Sequence, residues 1–494
     1  MAVIIDGTTG LTTSGSSSSG GGGVSTSTAL GGGALFTNSS GANLVAIGYQ
    51  AGYSTTAGPN VFVGSQAGYT NSTGTSNVGI GHQALYSNST SVQNVAVGYQ
   101  AGYTNSTTGN NSVTIGYKAG YGNTKYITAV GYQALYNNTT DYNTAIGGES
   151  GQTNTTGNVT ALGWYSLKSN TTGIQNTAVG QSSLQANTTG GTNSAFGYAA
   201  LYNNTTGTTN NSFGPYSLFT NTTGGGNTAM GHYTAYSNTT GNNNTCYGIQ
   251  AFYTNSTGSS NTCYGYQALY SNTTADNNTA FGLNAGYSNA TGDRLALFGG
   301  SAGYNSTGFG NTCFGYSAGS NITSGTGNLC LGGYSVVNAN TDSYSVVIGW
   351  NRSGKGGSTA ILGGGDGGTS GVYQGNNSSS WTTTSDRRLK KNIVDNTVGL
   401  SAITQLRVRN FEYRLPNEVD PELNSIDAIP NTGVQLGVIA QELNEILPDC
   451  VKTETTGVMS VDPTNITWYM INAIKELKTL VDAQAARIAI LEAK

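Results

Sequence analysis

Few of the 494 residues could carry out chemistry. Histidine occurs twice, at His82 and His232, so no His-based triad or His-rich metal site can be built. Five cysteines are too few, and odd in number, for a disulfide framework. Cys246 and Cys263, like Cys313 and Cys330, stand 17 residues apart. They read as small buried hydrophobes; a disulfide within each pair is compatible with the spacing but not required by it. Residues 1–380 hold 6 Lys/Arg and 7 Asp/Glu, with no paired carboxylates and no phosphate-binding loop. The other 12 and 15 crowd into residues 381–494. The densest run is Thr384-Ser385-Asp386-Arg387-Arg388-Leu389-Lys390-Lys391-Asn392-Ile393, with a hydroxyl five residues ahead of a lysine. A serine is a nucleophile only beside a base. A lysine is a base only where burial or neighbouring cations favour its neutral form. Spacing alone fits a basic strand on a solvated face equally well.

The elements that would position such groups divide at the same boundary. Glycine makes up 75 residues and charged residues only 8%, against an ordinary ~25%. Glycines recur from Gly48 through Gly64, Gly81 and Gly98 to Gly349 and Gly363, most often 17 residues apart. The unit approximates N-T-A-V-G-Y-Q-A-L-Y-S-N-T-T-G-N-N. Val or Thr commonly stands three before the glycine, as at Val45, Val95, Thr144 and Thr177, and a bulky apolar residue one before, so the two share one face of a short strand. Ala, two before, shares the other face with the glycine. Asn-Thr-Thr-Gly then supplies turn chemistry. Strands this short bury a core only when stacked coil on coil. The expected rod has bulky residues inside each coil and small residues against neighbouring chains. About twenty coils at ~4.8 Å give roughly 95 Å. The exposed turns are expected to offer rows of Asn, Thr, Ser and Tyr suited to weak multivalent recognition, or to serve only as a spacer. His82 and His232 replace the Tyr after the glycine and read as repeat variants. Asp293-Arg294 reads as a solvated turn pair. The many Asn-x-Ser/Thr triplets read as turns rather than glycosylation sites.

These N-T-A-V-G-Y-Q-A-L-Y units, over about residues 43–365, resemble the head repeats of trimeric autotransporter adhesins and related phage fibres. The resemblance implies a left-handed parallel β-roll with three chains per rod. The period is longer than that family's usual fourteen or so, and the extra residues lengthen the polar outer turn.

Three ordered motifs resemble the intramolecular chaperone auto-processing domain of phage tail spikes and fibres, the peptidase S74 family. They are the Ser385–Ile393 run, similar to S-D-x-R-L-K-x-N-I; Phe411-Glu412-Tyr413; and Gly437-Val438-Ile439-Ala440-Gln441-Glu442 with Leu447-Pro448. The resemblance covers residues 385–494. It implies that the domain folds the trimer and then cuts the chain between Thr384 and Ser385. Ser385 would be the nucleophile, Lys390 the base and Asp386 a positioning group, with Arg387, Arg388 and Lys391 crowding the lysine with positive charge. The implied activity is a single-turnover serine autopeptidase, with no turnover enzyme in the rod.

Beyond the motif, Ala402–Leu406 and Gln441–Leu447 read as short helices, and Asn410–Arg414 and Gln435–Ile439 as strands. Met470, Ile474, Leu477, Val481, Gln484, Ile488 and Leu491 follow 4-3 spacing, the seam of a coiled coil over about 465–492, with one polar break. Ordinary amphipathic packing explains the spacing too.

The chain is therefore expected to be mainly β. Residues 1–12 read as an attachment peptide and 13–40 as a Gly/Ser-rich linker and rod start. The repeat rod covers 41–365, with a second linker at 366–384. A small α+β chaperone domain with a trimeric helical coiled coil covers 385–494. A net charge of −4 excludes a basic nucleic-acid binder. Neither a signal peptide nor an apolar run of membrane-span length is present, so no membrane insertion is expected. The expected protein is a homotrimeric virion tail fibre assembled in the host cytoplasm. Its N-terminus would join a tail or baseplate component, and its rod a cell-surface glycan or protein. No cofactor or metal is expected. The alternatives are a bacterial trimeric adhesin and a spacer fibre without receptor binding.

Overall fold

The computed structural model describes residues 4–6, 10–12, 27–104, 110–122, 125–363, 372–374, 387–415, 417–420, 429, 432–454 and 457–493. The chain forms two compact units, Met1–Thr384 and Ser385–Lys494.

The first unit is a parallel β-solenoid. Strands of three or four residues pair in chain order from Thr28–Leu30 to Ala360–Leu362, one per coil. Register follows the repeat without slippage. Ser194 pairs with Asn211, Ala195 with Ser212 and Phe196 with Phe213. A last strand, Val372–Gln374, adds antiparallel. At the other end, Ile4–Asp6 and Gly10–Thr12 form their own antiparallel pair. From Gly31 to Gly349 the glycine after each strand has φ between +116° and +140° and continues the ladder. Gly214, at +132°, donates its N–H to the Phe196 carbonyl at 2.8 Å.

The two faces of these strands are reversed from expectation. Alanines two before the glycine, such as Ala96, Ala145 and Ala229, are fully buried inside the coil. Bulky residues one before it point outward; Ile146 is 44% exposed and Phe314 55%. Size decides this rather than hydrophobicity. The far wall of the coil already fills the interior with Leu135, Leu184, Leu201 and Leu218, in left-handed backbone conformation near φ +50°. Only small side chains fit opposite. Where a large one intrudes, the wall gives way to glycine. A Cβ on Gly303 would stand 2.6 Å from Leu297 Cδ2.

Two columns of asparagine are buried, one of them in the Asn-Thr-Thr-Gly segment expected as an exposed turn. In one, Asn204, Asn221 and Asn238 each donate from Nδ2 to the Oδ1 of the coil before, at 2.8 Å. Each also donates to a glycine carbonyl of its own coil. In the other, the Oδ1 of Asn193 accepts from the backbone N–H of Asn210 at 2.9 Å, a pattern repeated along the rod. The columns satisfy buried backbone carbonyls that would otherwise carry a desolvation cost. Asn221→Leu keeps the branched shape but strands three hydrogen-bond partners, costing roughly 3 kcal/mol or more. Denaturation midpoints should show that loss, while Thr223→Ala, on the exposed turn beside it, stays near neutral.

The second unit has a small core of Ala402, Leu443, Leu447, Cys450 and Tyr469. Helix α1 (Leu400–Ile403), helix α2 (Ala440–Ile446) and helix α3 (Pro463–Glu492) surround it. Arg409–Phe411 pairs antiparallel with Gln435–Gly437. Val451–Thr453 and Met459–Val461 form a second antiparallel pair that the sequence does not signal. The α1 helix begins and ends earlier than expected, and the first strand is shorter.

Candidate functional site

The expected nucleophile Ser385, the expected positioning group Asp386 and the Thr384 carbonyl of the expected cleavage site lie outside the described residues. Lys390 lies within them. It follows a single 3-10 turn, Arg387–Leu389, and its backbone N–H donates to the Arg387 carbonyl at 3.1 Å. Its side chain is exposed, and every residue from 390 to 398 is exposed. The segment first turns inward at Gly399, which is buried.

Helix α3 grips the end of this segment. Asp462 caps the start of the helix, accepting from the Thr464 N–H at 2.9 Å, and that bond holds the Asp462 carboxyl below its usual range. Along one flank, Asn465 donates to the Asp449 carbonyl at 3.2 Å and the Tyr469 hydroxyl hydrogen-bonds the Asp449 carboxylate. That bond, with burial, pushes the Tyr469 phenol up to about 12. Asn472 donates to the Asn396 and Val398 carbonyls at 3.0 and 3.2 Å. Glu476 accepts from the Leu400 N–H at 2.7 Å, capping α1. A hollow of about 260 Å³ opens among Asn396, Asp449, Trp468 and Asn472. A larger groove of about 420 Å³ lies between the segment that follows α1 and helix α2, lined by Leu406, Arg407, Val438 and Glu442. Beside it Arg409 and Glu442 form a two-bond ion pair at 2.7 and 3.2 Å, joining the first strand to α2. The pair lowers the Glu442 carboxyl and raises the Arg409 guanidinium.

The seam side of α3 is exposed. Met470, Ile474, Leu477, Val481, Ile488 and Leu491 range from 48% to 63% exposed. Among the described residues no helix is long and apolar enough to cross a membrane, and no group of three His, Cys, Asp or Glu could hold a metal ion.

Residues 385–452 match a family model. It is described as the chaperone of endosialidase, Peptidase_S74. The match begins at Ser385, where the second compact unit begins, and ends before α3. A β-solenoid rod followed by this chaperone domain fits a tail-spike-like protein.

In the rod, the remaining chemistry-bearing residues serve the stack. Cys246 pairs in register with Cys263, and Cys313 with Cys330. All four are buried, and none forms a disulfide. Burial, with the neighbouring Cys246, pushes the Cys263 thiol well up; a hydrogen bond to Cys330, with burial, does the same to Cys313. Such thiols are poor nucleophiles. His82 stacks on Tyr99 at 5.5 Å, and His232 packs on Tyr233. Asp293 is more than a solvated turn group; its Oδ1 accepts from the Asp276 N–H of the coil before, at 2.7 Å. The triplets at Asn187, Asn204 and Asn221 put the amide nitrogen inside the asparagine column, where the folded rod cannot present it to a glycosylating enzyme.

Aromatic columns are what the rod displays. Five residues after the glycine, Tyr202, Phe219, Tyr236, Tyr253, Tyr270 and Tyr287 stack face to face at 5.0–5.2 Å. One before it, Tyr247, Tyr264, Phe281, Phe298 and Phe314 form a second stack. The period is legible in the sequence. The stacking is visible there only as a recurrence of ring types at one slot.

Proposed function

We propose that this protein is a homotrimeric fibre for host-surface attachment, carried on a virion tail, whose chaperone domain assembles three chains in register and then releases itself. One observation carries the trimer. The rod wears an outward ladder of bulky apolar side chains, half-buried at some coils and as much as 55% exposed at Phe314, over a core that is already full. A single chain leaves that ladder in water. Three rods that turn it toward a common axis remove it. The exposed seam of α3 supports the same association as a three-stranded coiled coil.

The chaperone has a physical task. Adjacent coils are nearly alike, so a slip of one coil keeps most contacts, and nonlocal β pairing is slow. Joining the chain ends first fixes which coil meets which. In the release step the Ser385 hydroxyl oxygen attacks the Thr384 carbonyl carbon, with Lys390 taking the hydroxyl proton and passing it to the departing Ser385 amine. The Thr384–Ser385 amide breaks and an ester forms. Water hydrolyses the ester, leaving the Thr384 carboxylate and the restored Ser385 hydroxyl. Lys390 is exposed in a single chain, so assembly would supply the burial that a lysine base needs. Removal of the domain then leaves unfolding without a route back.

Denaturing gels of the purified full chain test this. The parent should resolve into fragments of 1–384 and 385–494, while Ser385→Ala and Lys390→Ala should stay whole. Equal processing in all three overturns the assignment. Attachment through the rod is supported by the half-exposed ring column from Tyr202 to Tyr287, whose repetition suits multivalent recognition of a glycan or protein surface. Loss of adsorption by virions stripped of the fibre is the expected result.

A further inference from the structure

We propose that Asn472 and Glu476 are positioning residues for the processing step, and that they tie the cleavage segment to the helix through which the chains associate. The inference rests on the self-cleavage reading above and adds to it how assembly reaches the bond.

The geometry has three parts. First, residues 390–398 are exposed, so the side chains of their own unit do not bury the stretch that carries Lys390. Second, α3 fixes the far end of the stretch. Asn472 grips two carbonyls two residues apart, those of Asn396 and Val398. The Asn396 side chain closes the same turn by accepting from the Val398 N–H at 2.8 Å. One helical turn on, the Glu476 carboxylate takes the Leu400 N–H, and a Cβ on Gly399 would stand 2.8 Å from its Cδ. Six residues separate Lys390 from Asn396, a tether of at most ~20 Å. Third, the two sides of α3 do not compete. At 3.6 residues per turn, the gripping flank (Asn465, Tyr469, Asn472, Glu476) and the apolar seam (Met470, Ile474, Leu477, Val481) lie about 140° apart. The helix can pack its seam against two further copies while its other flank keeps hold of the segment.

Association along the seam therefore fixes the helix, and the helix fixes where the cleavage segment enters. Neither Asn472 nor Glu476 touches the scissile bond. Their effect is on where Lys390 and the residues before it can reach.

The test uses the full chain with Asn472→Ala, Asn472→Asp, Glu476→Ala and Glu476→Gln. Asp at 472 keeps the size but removes the donor; Gln at 476 keeps an acceptor oxygen. Cleavage is timed on denaturing gels, and assembly is measured by light scattering in a Ser385→Ala background. Asn472→Ala, Asn472→Asp and Glu476→Ala are expected to slow cleavage by about tenfold or more at unchanged assembly, and Glu476→Gln to stay near the parent rate. Parent-like rates in the first three overturn the proposal, as does a Glu476→Gln rate as slow as that of Glu476→Ala. Amide exchange at Val398 and Leu400 in the Ser385→Ala background separates this from failure of the cleavage reading. Faster exchange in the alanine variants supports the tether; unchanged exchange overturns it, even where the parent never cuts.

Discussion

Gly214→Ala is expected to break the solenoid at its coil. The backbone there has φ +132°, and a Cβ would stand 2.6 Å from the Gly231 carbonyl oxygen and 2.7 Å from its carbon. Both obstacles are backbone, so no rotamer relieves them. Strain of this kind costs roughly 1–3 kcal/mol by itself. The enforced contact opens the ladder between two coils and adds to it, so the expected total exceeds about 3 kcal/mol. Each coil is held by its neighbours, so the damage should spread along the stack rather than stay in one turn. Limited proteolysis of the full chain should find a new cleavage region near 197–231, and thermal unfolding should start earlier. Gly32→Ala is the control, because its nearest neighbour would be Tyr49 Cδ2 at an ordinary 3.7 Å. A Gly214→Ala chain as resistant as the parent would contradict the tight backbone approach.

Replacing Phe281, Phe298 and Phe314 by Glu should have the opposite signature, with the coils intact and the assembly lost. These rings stack at 5.4 and 4.9 Å on the outer face, and their removal leaves the buried Ala280, Leu297 and Cys313 in place. In the proposed trimer the change gathers nine carboxylates around one axis in a space closed to water. Charges buried without partners are far more costly than the burial of three rings is favourable. Light scattering of the processed rod should give the mass of one chain rather than three, with circular dichroism unchanged. The matching control is Tyr253, Tyr270 and Tyr287 replaced by Glu, in the other aromatic column, where assembly should persist. A trimeric mass in the Phe variant would show that the outer ladder faces something other than a second copy.

The two variants differ because glycine and phenylalanine hold different levels of the structure, and the levels are not equally legible. The 17-residue period, the short strands and the glycine after each are readable because period-2 alternation and left-handed backbone demand particular residue types. The chaperone domain is readable because its motifs are dense and ordered, and the α3 helix because its 4-3 spacing runs on to Leu491. The enclosed face is not readable, because it is a matter of scale. Alternation identifies two faces of Val95-Ala96-Val97 but not which one is enclosed. Bulk suggests inside; the narrow coil, already filled by leucines of its far wall, favours small side chains at that slot.

The asparagines are hard to read for a related reason. Asn-Thr-Thr-Gly has turn chemistry wherever it occurs, and it does turn here. Only stacking brings Asn204, Asn221 and Asn238 within 2.8 Å of one another's amides, turning a row of polar residues into an internal column. Asn472 and Glu476 give no signal at all, since polar residues on a helix are the ordinary solvated case. Their partners, Asn396 and Leu400, stand 76 residues away in the chain. The sequence by itself thus determined the repeat, the boundary near residue 385 and the helix that ends the chain, because each is written in local spacing. Tertiary structure alone decided which face is inside, where the amides point and what the last helix holds, because each depends on the width of a space that distant residues enclose.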